Sequence, residues 1–491
     1  MEIAGNPPTR ALSAQRHDRC PLCVDLDGTL IRSDLLLEAL FGLLGQSFLS
    51  AFNIPLWLLS GKARLKAEMA KRVDLDAATL PYNEPLLAWL RDQRAKGRRL
   101  VLATASPAKY ARAVADHLGL FDEVVATEGT TNLAGPHKAE ALAERFGEHG
   151  FDYVGNARPD LAVWKRARRA VLVNPERGIE ASSRQIIPVE TVLDTGRPSL
   201  RDYLRTLRPH QWAKNLLVFL PMLAAHKLGD PALFIQAVVA FVAFCLCASS
   251  VYILNDLIDL PADRAHVHKR TRPFAAGLIP PAHGVMLFPA LLLAAFGLAL
   301  LLPWMFVAIL GLYYVSTLAY SVWLKRVVLV DVMLLASLYT LRVLAGAAAI
   351  EVVSSFWLLA FSIFLFLSLA FSKRHAELTG LLALGREKPL GRGYVASDID
   401  ALMSLGAASG YTAVLVLALY INSSDVRVLY RYPEAIWLLC PMLLYWINRV
   451  WLIAHRNNLQ EDPVVFALHD RASRWLMLIA VVILGVASYP L

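Results

Sequence analysis

From about residue 211 onward the chain is dominated by apolar runs, at about 211 to 226, 231 to 254, 284 to 302, 304 to 323, 327 to 350, 355 to 372, 402 to 421, 434 to 454 and 475 to 490. Each is close to the ~20 residues a helix needs to cross hydrocarbon. In that medium every backbone polar group has to be satisfied within the protein, which favours helices over open sheets. The spacing therefore predicts an all-α bundle of nine spans. With 56% hydrophobic and only 18% charged residues, the 491-residue chain averages a membrane part with a soluble one. Its net charge of +9 lies largely in the loops between runs, so anionic lipid heads and phosphates are the expected partners, not nucleic acid.

The basic residues also predict an orientation. Those from Arg264 and Lys269 to Arg471 and Arg474, with Arg386, Lys388 and Arg392 among them, fall in one alternate set of loops, whereas the other set holds only Lys227, Arg427 and Arg431. Positive residues mark the cytoplasmic side. Residues 1–19 are polar, with Pro7 and Pro8 and no apolar core, and read as a disordered tail, not a signal peptide. The soluble part is thus expected on the same cytoplasmic side as the basic loops. Residues 176–205 mix Pro, Gly, Ser and charge and read as a linker.

At the end of the run 232–254 stand Asn255, Asp256, Asp259, Asp263 and Arg264, followed by Lys269, Arg270, Arg272 and Pro273. Ionised groups at that depth are costly unless used, and offsets of three and seven residues put the three carboxylates on one helical face. Such a face suits a divalent metal that bridges carboxylates to substrate phosphates; the basic run suits the outer phosphate oxygens. A charged loop that only sets topology is the bland alternative. Further along lie Tyr320, Lys325, Asp331 and Arg342, the last well inside a run, where a functional or paired role is the default. Asp331 and Lys325 suit interfacial anchors equally well. Lys373, Arg374, His375 and Glu377, then Gly391 to Tyr394, form a mostly basic second loop.

In the soluble part, the run from Pro21 ends in Asp25, Leu26, Asp27, Gly28, Thr29 and Leu30, a buried strand delivering two carboxylates into a glycine turn. Arg99 to Thr104 is a second strand ending in a hydroxyl, Lys138 opens a helical stretch, and Tyr153 to Asp160 form a third strand and loop. Ligands of open α/β sheets bind at such carboxyl ends. Between the first two strands, Leu35 to Leu59 is apolar, interrupted by Glu38, Gln46, Pro55 and a few small or polar residues. It reads as a helical cap on the core, or as a cap lying on the bilayer. Cys20 and Cys23 have redox-motif spacing but no second pair, and core packing is the expectation.

Two resemblances follow from these residues. The aspartate motif with its basic continuation resembles the first signature of the UbiA superfamily of intramembrane prenyltransferases, and Arg208 to Asn215 with Lys373 and Arg374 is similar to its phosphoribosyltransferase branch, which acts on decaprenyl phosphate. Residues 20 to about 175 resemble the four motifs of the HAD phosphohydrolases. The implied architecture is a Rossmann-like α/β HAD domain with a helical cap at 20–175, then a UbiA-type bundle at 206–491.

The resemblance implies a bifunctional enzyme of the cytoplasmic (inner) membrane. Its transferase would move 5-phosphoribose from phosphoribosyl pyrophosphate to a polyprenyl phosphate, and its HAD domain would remove the 5-phosphate, giving polyprenyl phosphoribose for cell-envelope sugars. Asp256, Asp259 and Asp263 are the implied Mg²⁺ ligands on the leaving pyrophosphate. Lys269 and Arg272 grip the donor, Lys373 and Arg374 the acceptor phosphate, and Asn255, Arg264, Lys325, Arg342 and Tyr394 complete the binding set. In the HAD domain Asp25 is the implied nucleophile and Asp27 the general acid and base. Thr104 and Lys138 hold the phosphoryl group, and Asp25, Asp27, Asp160 and Asn156 hold a second Mg²⁺. Asn156 departs from the family's usual aspartate and leaves a weak, regulatory HAD domain as one alternative. Prenyl transfer to an aromatic acceptor is another, against which the basic second loop speaks; a transporter is a third, against which the aspartate face speaks. Self-association stays open.

Overall fold

The structure, a computed structural model, describes residues 20–46, 50, 53–128, 132–266, 269–383, 393–423, 430–456 and 462–488. The tail 1–19 and the basic residues Arg386, Lys388, Arg392 and Arg427, with Gly391, lie outside the described residues. The chain divides into two compact units, Met1–Thr206 with Ile253–Leu287, and Leu207–Tyr252 with Phe288–Leu491.

The first unit is built on a parallel sheet of β1 (Leu22–Val24), β2 (Leu100–Pro107), β3 (Glu123–Thr127), β4 (Asp152–Gly155), β5 (Ala170–Val173) and β6 (Val189–Leu193), in the order β3-β2-β1-β4-β5-β6. A parallel sheet covered on both faces needs strands that are apolar throughout, and the side chains segregate by alternation. Leu22, Val24, Leu100, Leu102 and Val154 enter one core, and Cys23, Val101, Ala103, Tyr153 and Leu172 the other. Cys20 and Cys23 are buried free thiols, as packing residues should be. The strand order reverses between β1 and β4, so the loops after these strands, carrying Asp25 and Asn156, open at the switch point where ligands of such sheets bind.

Helices α1 (Leu35–Gln46), α2 (Ile54–Leu59) and α3 (Lys62–Arg72) form the cap between β1 and β2. α1 buries Leu35, Ala39 and Leu43, whereas α2 exposes Leu56, Leu58 and Leu59. The remaining helices of this part are α4 (Glu84–Ala95), α5 (Ala108–Leu118), α6 (Pro136–Phe146), α7 (Asp160–Trp164), α8 (Ile179–Ile186) and α9 (Leu200–Thr206). The expected linker 176–205 is corrected here. It folds as α8, β6 and α9, and β6 pairs with β5 from Ala170↔Val189 to Val173↔Leu193. The β-branched Val189, Thr191 and Val192 suit a short edge strand, but the flanking Pro188 and Gly196 obscure it in the sequence.

The chain continues through α10 (Pro231–Ile258), α11 (Leu260–Ala265), α12 (Pro281–Ala299), α13 (Trp304–Val322), α14 (Val330–Ala349), α15 (Phe356–Ala383), α16 (Ile399–Ile421), α17 (Leu439–His455), α18 (Pro463–His469) and α19 (Arg471–Ser488). Among the described residues eight helices, all of these but α11 and α18, are long and apolar enough to cross a membrane. The run 211–226, expected as a ninth, is instead a 3₁₀ stretch at Pro209–Phe219 and a short α-turn at Leu220–Ala224. Pro209 and Pro221 interrupt regular α-geometry, and Lys214 and Asn215 turn to buried polar partners described below.

Candidate functional site

In the α/β fold of the first unit, the ends of β1, β2 and β4 bring the sequence-predicted residues together. Asp25 is held by its N–H on the Val154 carbonyl, 3.0 Å, which joins the β1 and β4 loops. Its Oδ1 accepts from Lys138 Nζ at 2.6 Å, and Lys138 also donates to the Tyr153 hydroxyl at 2.9 Å. Burial pushes the Asp25 carboxyl up to about 7, against the pull of Lys138. Asp27 accepts from Leu35 N at 2.8 Å, Ser106 Oγ at 2.7 Å and Thr104 Oγ1 at 3.3 Å. Burial and Asp34 raise its pKa, and the Leu35 and Ser106 donors with Lys66 oppose the rise. Asp160 accepts from the Asn156 and Ala157 N–H groups, each at 3.0 Å, and from the Tyr153 hydroxyl at 3.0 Å.

Asn156 gives its departure from the family pattern a structural role. Its Nδ2 donates to the Gly28 carbonyl at 3.1 Å, a bond no aspartate can make. Gly28, at φ +74°, has no space for a side chain: an added Cβ would stand 2.8 Å from that nitrogen. Sequence reading missed Ser106, two residues past the recognised strand end. It also missed Lys66 of α3, whose Nζ donates to the Ala105 carbonyl at 2.6 Å and Asn132 Oδ1 at 2.9 Å. A cap lysine has no local signature.

The aspartate segment folds onto its own basic continuation. α10 ends at Ile258 because Pro261 at the start of α11 lacks the N–H to continue it. The bonds Asp259 N to Asn255 O and Asp263 N to Asp259 O, both 2.8 Å, nevertheless preserve the helical offset. Asp256 and Asp263 therefore converge: Arg272 Nη1 lies 3.1 Å from Asp256 Oδ1 and 2.5 Å from Asp263 Oδ2. Lys269 is 4.0 Å from Asp263 and half-exposed. Arg264, expected among the substrate-binding residues, forms a buried pair with Glu38 of α1.

In the second unit the expected basic loop resolves into two different environments. Arg374, 2% exposed, donates to Asp331 Oδ2 and Glu377 Oε2, each at 2.6 Å, and to the Tyr320 hydroxyl at 2.8 Å. Tyr394 donates to the other Asp331 oxygen at 2.5 Å and accepts from Leu329 N at 3.0 Å. Arg374, Asp331 and Tyr394 thus satisfy one another. Arg342 is likewise enclosed, its donors taken by Asn215 Oδ1, the Leu338 carbonyl and the Tyr313 hydroxyl at 2.9, 2.6 and 2.9 Å. Lys325 is partly buried beside the α13 end.

Lys373 is different. It shares Asp462 Oδ2 with Lys214, at 3.0 and 2.8 Å, while Tyr339 donates to Asp462 Oδ1 at 2.7 Å. Burial pushes the Asp462 pKa up, but Lys373 and Lys214 outweigh it and hold the carboxyl well below the usual range. Two ammonium groups on one carboxylate leave an excess positive charge, and the Lys373 side chain is 30% exposed. Lys214 lies one turn from Leu217, Lys373 one turn from Leu369 and Asp462 two residues from Val464, and all three apolar residues line a cavity of about 740 Å³. The sequence showed Asp462 beside Pro463 and Lys214 in the 208–215 motif, but only the fold pairs them.

Carboxylates are the right donors for Mg²⁺. Among the described residues no three His, Cys, Asp or Glu side chains gather as a metal site. They gather in pairs around a cationic nitrogen, Asp256 and Asp263 on Arg272, and Asp25 with Asp160 around Lys138 at 2.6 and 4.0 Å. A pair already aimed at one positive centre fits a cation site.

An integral membrane enzyme built on an apolar helical bundle and joined to a hydrolase-like α/β fold is the class this arrangement defines. Residues 215–476 match the UbiA prenyltransferase family and residues 22–163 the haloacid dehalogenase-like hydrolases. The chain belongs to the UbiA prenyltransferase family. It is 38% identical over 459 residues to an uncharacterized protein, y4nM, of Sinorhizobium fredii, covering 93% of this chain and 88% of the relative, so the match extends through both domains. It is 35% identical over 276 residues to the nodulation protein NoeC of Azorhizobium caulinodans, covering 55% and 88%. To the decaprenyl-phosphate phosphoribosyltransferase of Mycolicibacterium smegmatis it is 30% identical over 295 residues, covering 58% and 92%.

Proposed function

We propose that the chain transfers 5-phosphoribose from phosphoribosyl pyrophosphate to a polyprenyl phosphate and then removes the 5-phosphate. The observation that carries the acceptor assignment is the Lys214–Asp462–Lys373 cluster adjoining an apolar cavity: surplus positive charge suits a phosphate and the cavity suits its prenyl tail. The relationship to decaprenyl-phosphate phosphoribosyltransferases supports the same reading. In transfer, the anomeric carbon–oxygen bond to pyrophosphate breaks as an acceptor phosphate oxygen bonds to that carbon. Asp256, Asp259 and Asp263 would hold Mg²⁺, which neutralises charge on the departing pyrophosphate. Arg272 and Lys269 bind its outer oxygens. Arg374, Arg342 and Tyr394, each held by partners within the second unit, are supports there and not substrate ligands.

In the second reaction the Asp25 carboxylate attacks the 5-phosphate, an aspartyl-phosphate forms, and Asp27 protonates the leaving ribose oxygen before activating the hydrolytic water. Lys138, Thr104 and Ser106 hold the phosphoryl oxygens. Asp25 and Asp160 would hold the second Mg²⁺, with both sites on the cytoplasmic face. One observation favours a second reading, a regulatory HAD domain without turnover: Asn156 is tied to Gly28 and brings no charge to a metal.

Purified protein incubated with labelled phosphoribosyl pyrophosphate, polyprenyl phosphate and Mg²⁺ should yield labelled polyprenyl phosphoribose. Label on an aromatic acceptor with prenyl diphosphate, and none on lipid phosphate, would overturn the assignment. Lipid that keeps its 5-phosphate indefinitely would select the regulatory reading.

A further inference from the structure

Glu38 is the one ionisable residue of α1, and it is 1% exposed. Arg264, beside Asp263 in the chain, grips it with both terminal nitrogens: Nη1 to Oε2 at 2.9 Å and Nη2 to Oε1 at 2.7 Å. The Arg264 Nε donates to the Ala275 carbonyl at 3.2 Å, so the fork is fixed on both sides. Glu38 is in turn held by the Ser33 hydroxyl. The Ser33 carbonyl accepts from Gly28 N at 3.0 Å and Leu35 N donates to Asp27, so this carboxylate is rooted in the turn that shapes the phosphatase-like site.

Two glycines mark close approaches within the same unit. A Cβ on Gly45 of α1 would meet the Ile258 carbonyl at 3.3 Å, and one on Gly277, at φ +66°, would meet Pro81 at 2.7 Å. The segment Ile253–Leu287 therefore packs on the cap and its flanking loops as part of one compact unit. A bidentate pair at that depth needs both partners, since either charge alone would be buried uncompensated.

We infer that Glu38 is a positioning residue for the transfer site, and this rests on the transferase reading above. By occupying the Arg264 fork it keeps a second guanidinium from joining Arg272 and Lys269 on Asp263, which would compete with an incoming cation. The phosphatase-like fold is then a working part of the transferase and not only a tethered neighbour.

The test uses full-length protein in detergent. Glu38→Gln keeps the shape but removes the charge, releasing Arg264 towards Asp263. The Mg²⁺ concentration for half-maximal transfer should rise about tenfold to hundredfold, the range seen when partners of metal ligands are lost, with maximal rate changed much less. Glu38→Gln/Arg264→Gln should return the Mg²⁺ requirement to within a few-fold of wild type, because the competing cation is gone. A purely structural role predicts the reverse, a double variant at least as impaired as the single one.

Arg264→Lys, able to hold one Glu38 oxygen at a time, should shift the requirement in the same direction by a smaller factor, and covers the case in which Glu38→Gln does not fold. A readout independent of turnover is Mg²⁺-induced protection of peptides 253–266 and 269–287 in hydrogen exchange. That protection should appear in wild type at lower Mg²⁺ than in Glu38→Gln, with exchange of the β1–β6 sheet unchanged. If wild type protects this segment yet transfers no phosphoribose, the substrate assignment fails while the positioning role stands. If Mg²⁺ protects the segment equally in wild type and Glu38→Gln, or not at all, the positioning role is wrong.

Discussion

At the scale of single residues, the phosphatase-like site turns on Asp25 and Asn156. On the proposed mechanism Asp25→Asn removes the nucleophile, because an amide cannot form an aspartyl-phosphate. Transfer should continue and the 5-phosphorylated lipid should accumulate, as read by mass spectrometry of the lipid products. Since burial raises the Asp25 pKa to about 7, the carboxylate needed for attack forms only as pH rises through that value. Hydrolysis of p-nitrophenyl phosphate at low Mg²⁺ should therefore climb with pH through about 7. Saturating Mg²⁺ favours the ionised form and should move the rise to lower pH. Asn156→Asp replaces a donor to the Gly28 carbonyl by a carboxylate facing it. A fully buried unmet acceptor costs about 1–3 kcal/mol and this part-buried one costs less, so this variant should melt slightly earlier than wild type without Mg²⁺ and recover with it, as followed by thermal denaturation.

At the scale of elements, neighbouring residues of α15 divide their tasks. Lys373 and Arg374 stand side by side in the sequence and read there as one basic pair, yet helical geometry points them about 100° apart. Lys373 meets Asp462 with Lys214, while Arg374 is enclosed by Asp331, Glu377 and Tyr320. Lys373→Ala should raise the acceptor KM, about tenfold or more for a lost charged contact to phosphate, and leave the detergent-solubilised protein folded. Arg374→Ala should instead strand Asp331, a loss of about 3–5 kcal/mol for a broken buried pair, and show first as a lowered melting temperature and poor folded yield. Steady-state kinetics beside melting curves on the two variants separates the outcomes; equal KM effects with equal stability would merge the two roles.

At the scale of the whole molecule, the domain border matters to anyone cutting the chain. Ending the soluble part at residue 175 removes α8, β6 and α9, and strips β5 of its hydrogen-bonded neighbour from Ala170 to Val173. An exposed apolar edge invites aggregation. Residues 20–206 should accordingly give more soluble, monomeric material than residues 20–175, measured by size-exclusion chromatography.

Local pattern was enough for the strands that carry or lead into Asp25, Thr104 and Gly155 and for the long apolar helices from Pro231 onward, because periodicity and length are properties of consecutive residues. The carboxylate spacing 256, 259 and 263 was legible for the same reason, as was the α/β domain followed by a helical bundle. Partnerships across the chain were not. Asp462 carries no local motif, and only the fold set it between Lys214 and Lys373, while Arg264 read as a substrate-binding residue until the fold gave it Glu38. A buried charge announces in sequence that it needs a counter-charge, but which one lies 226 residues away is decided only by tertiary packing.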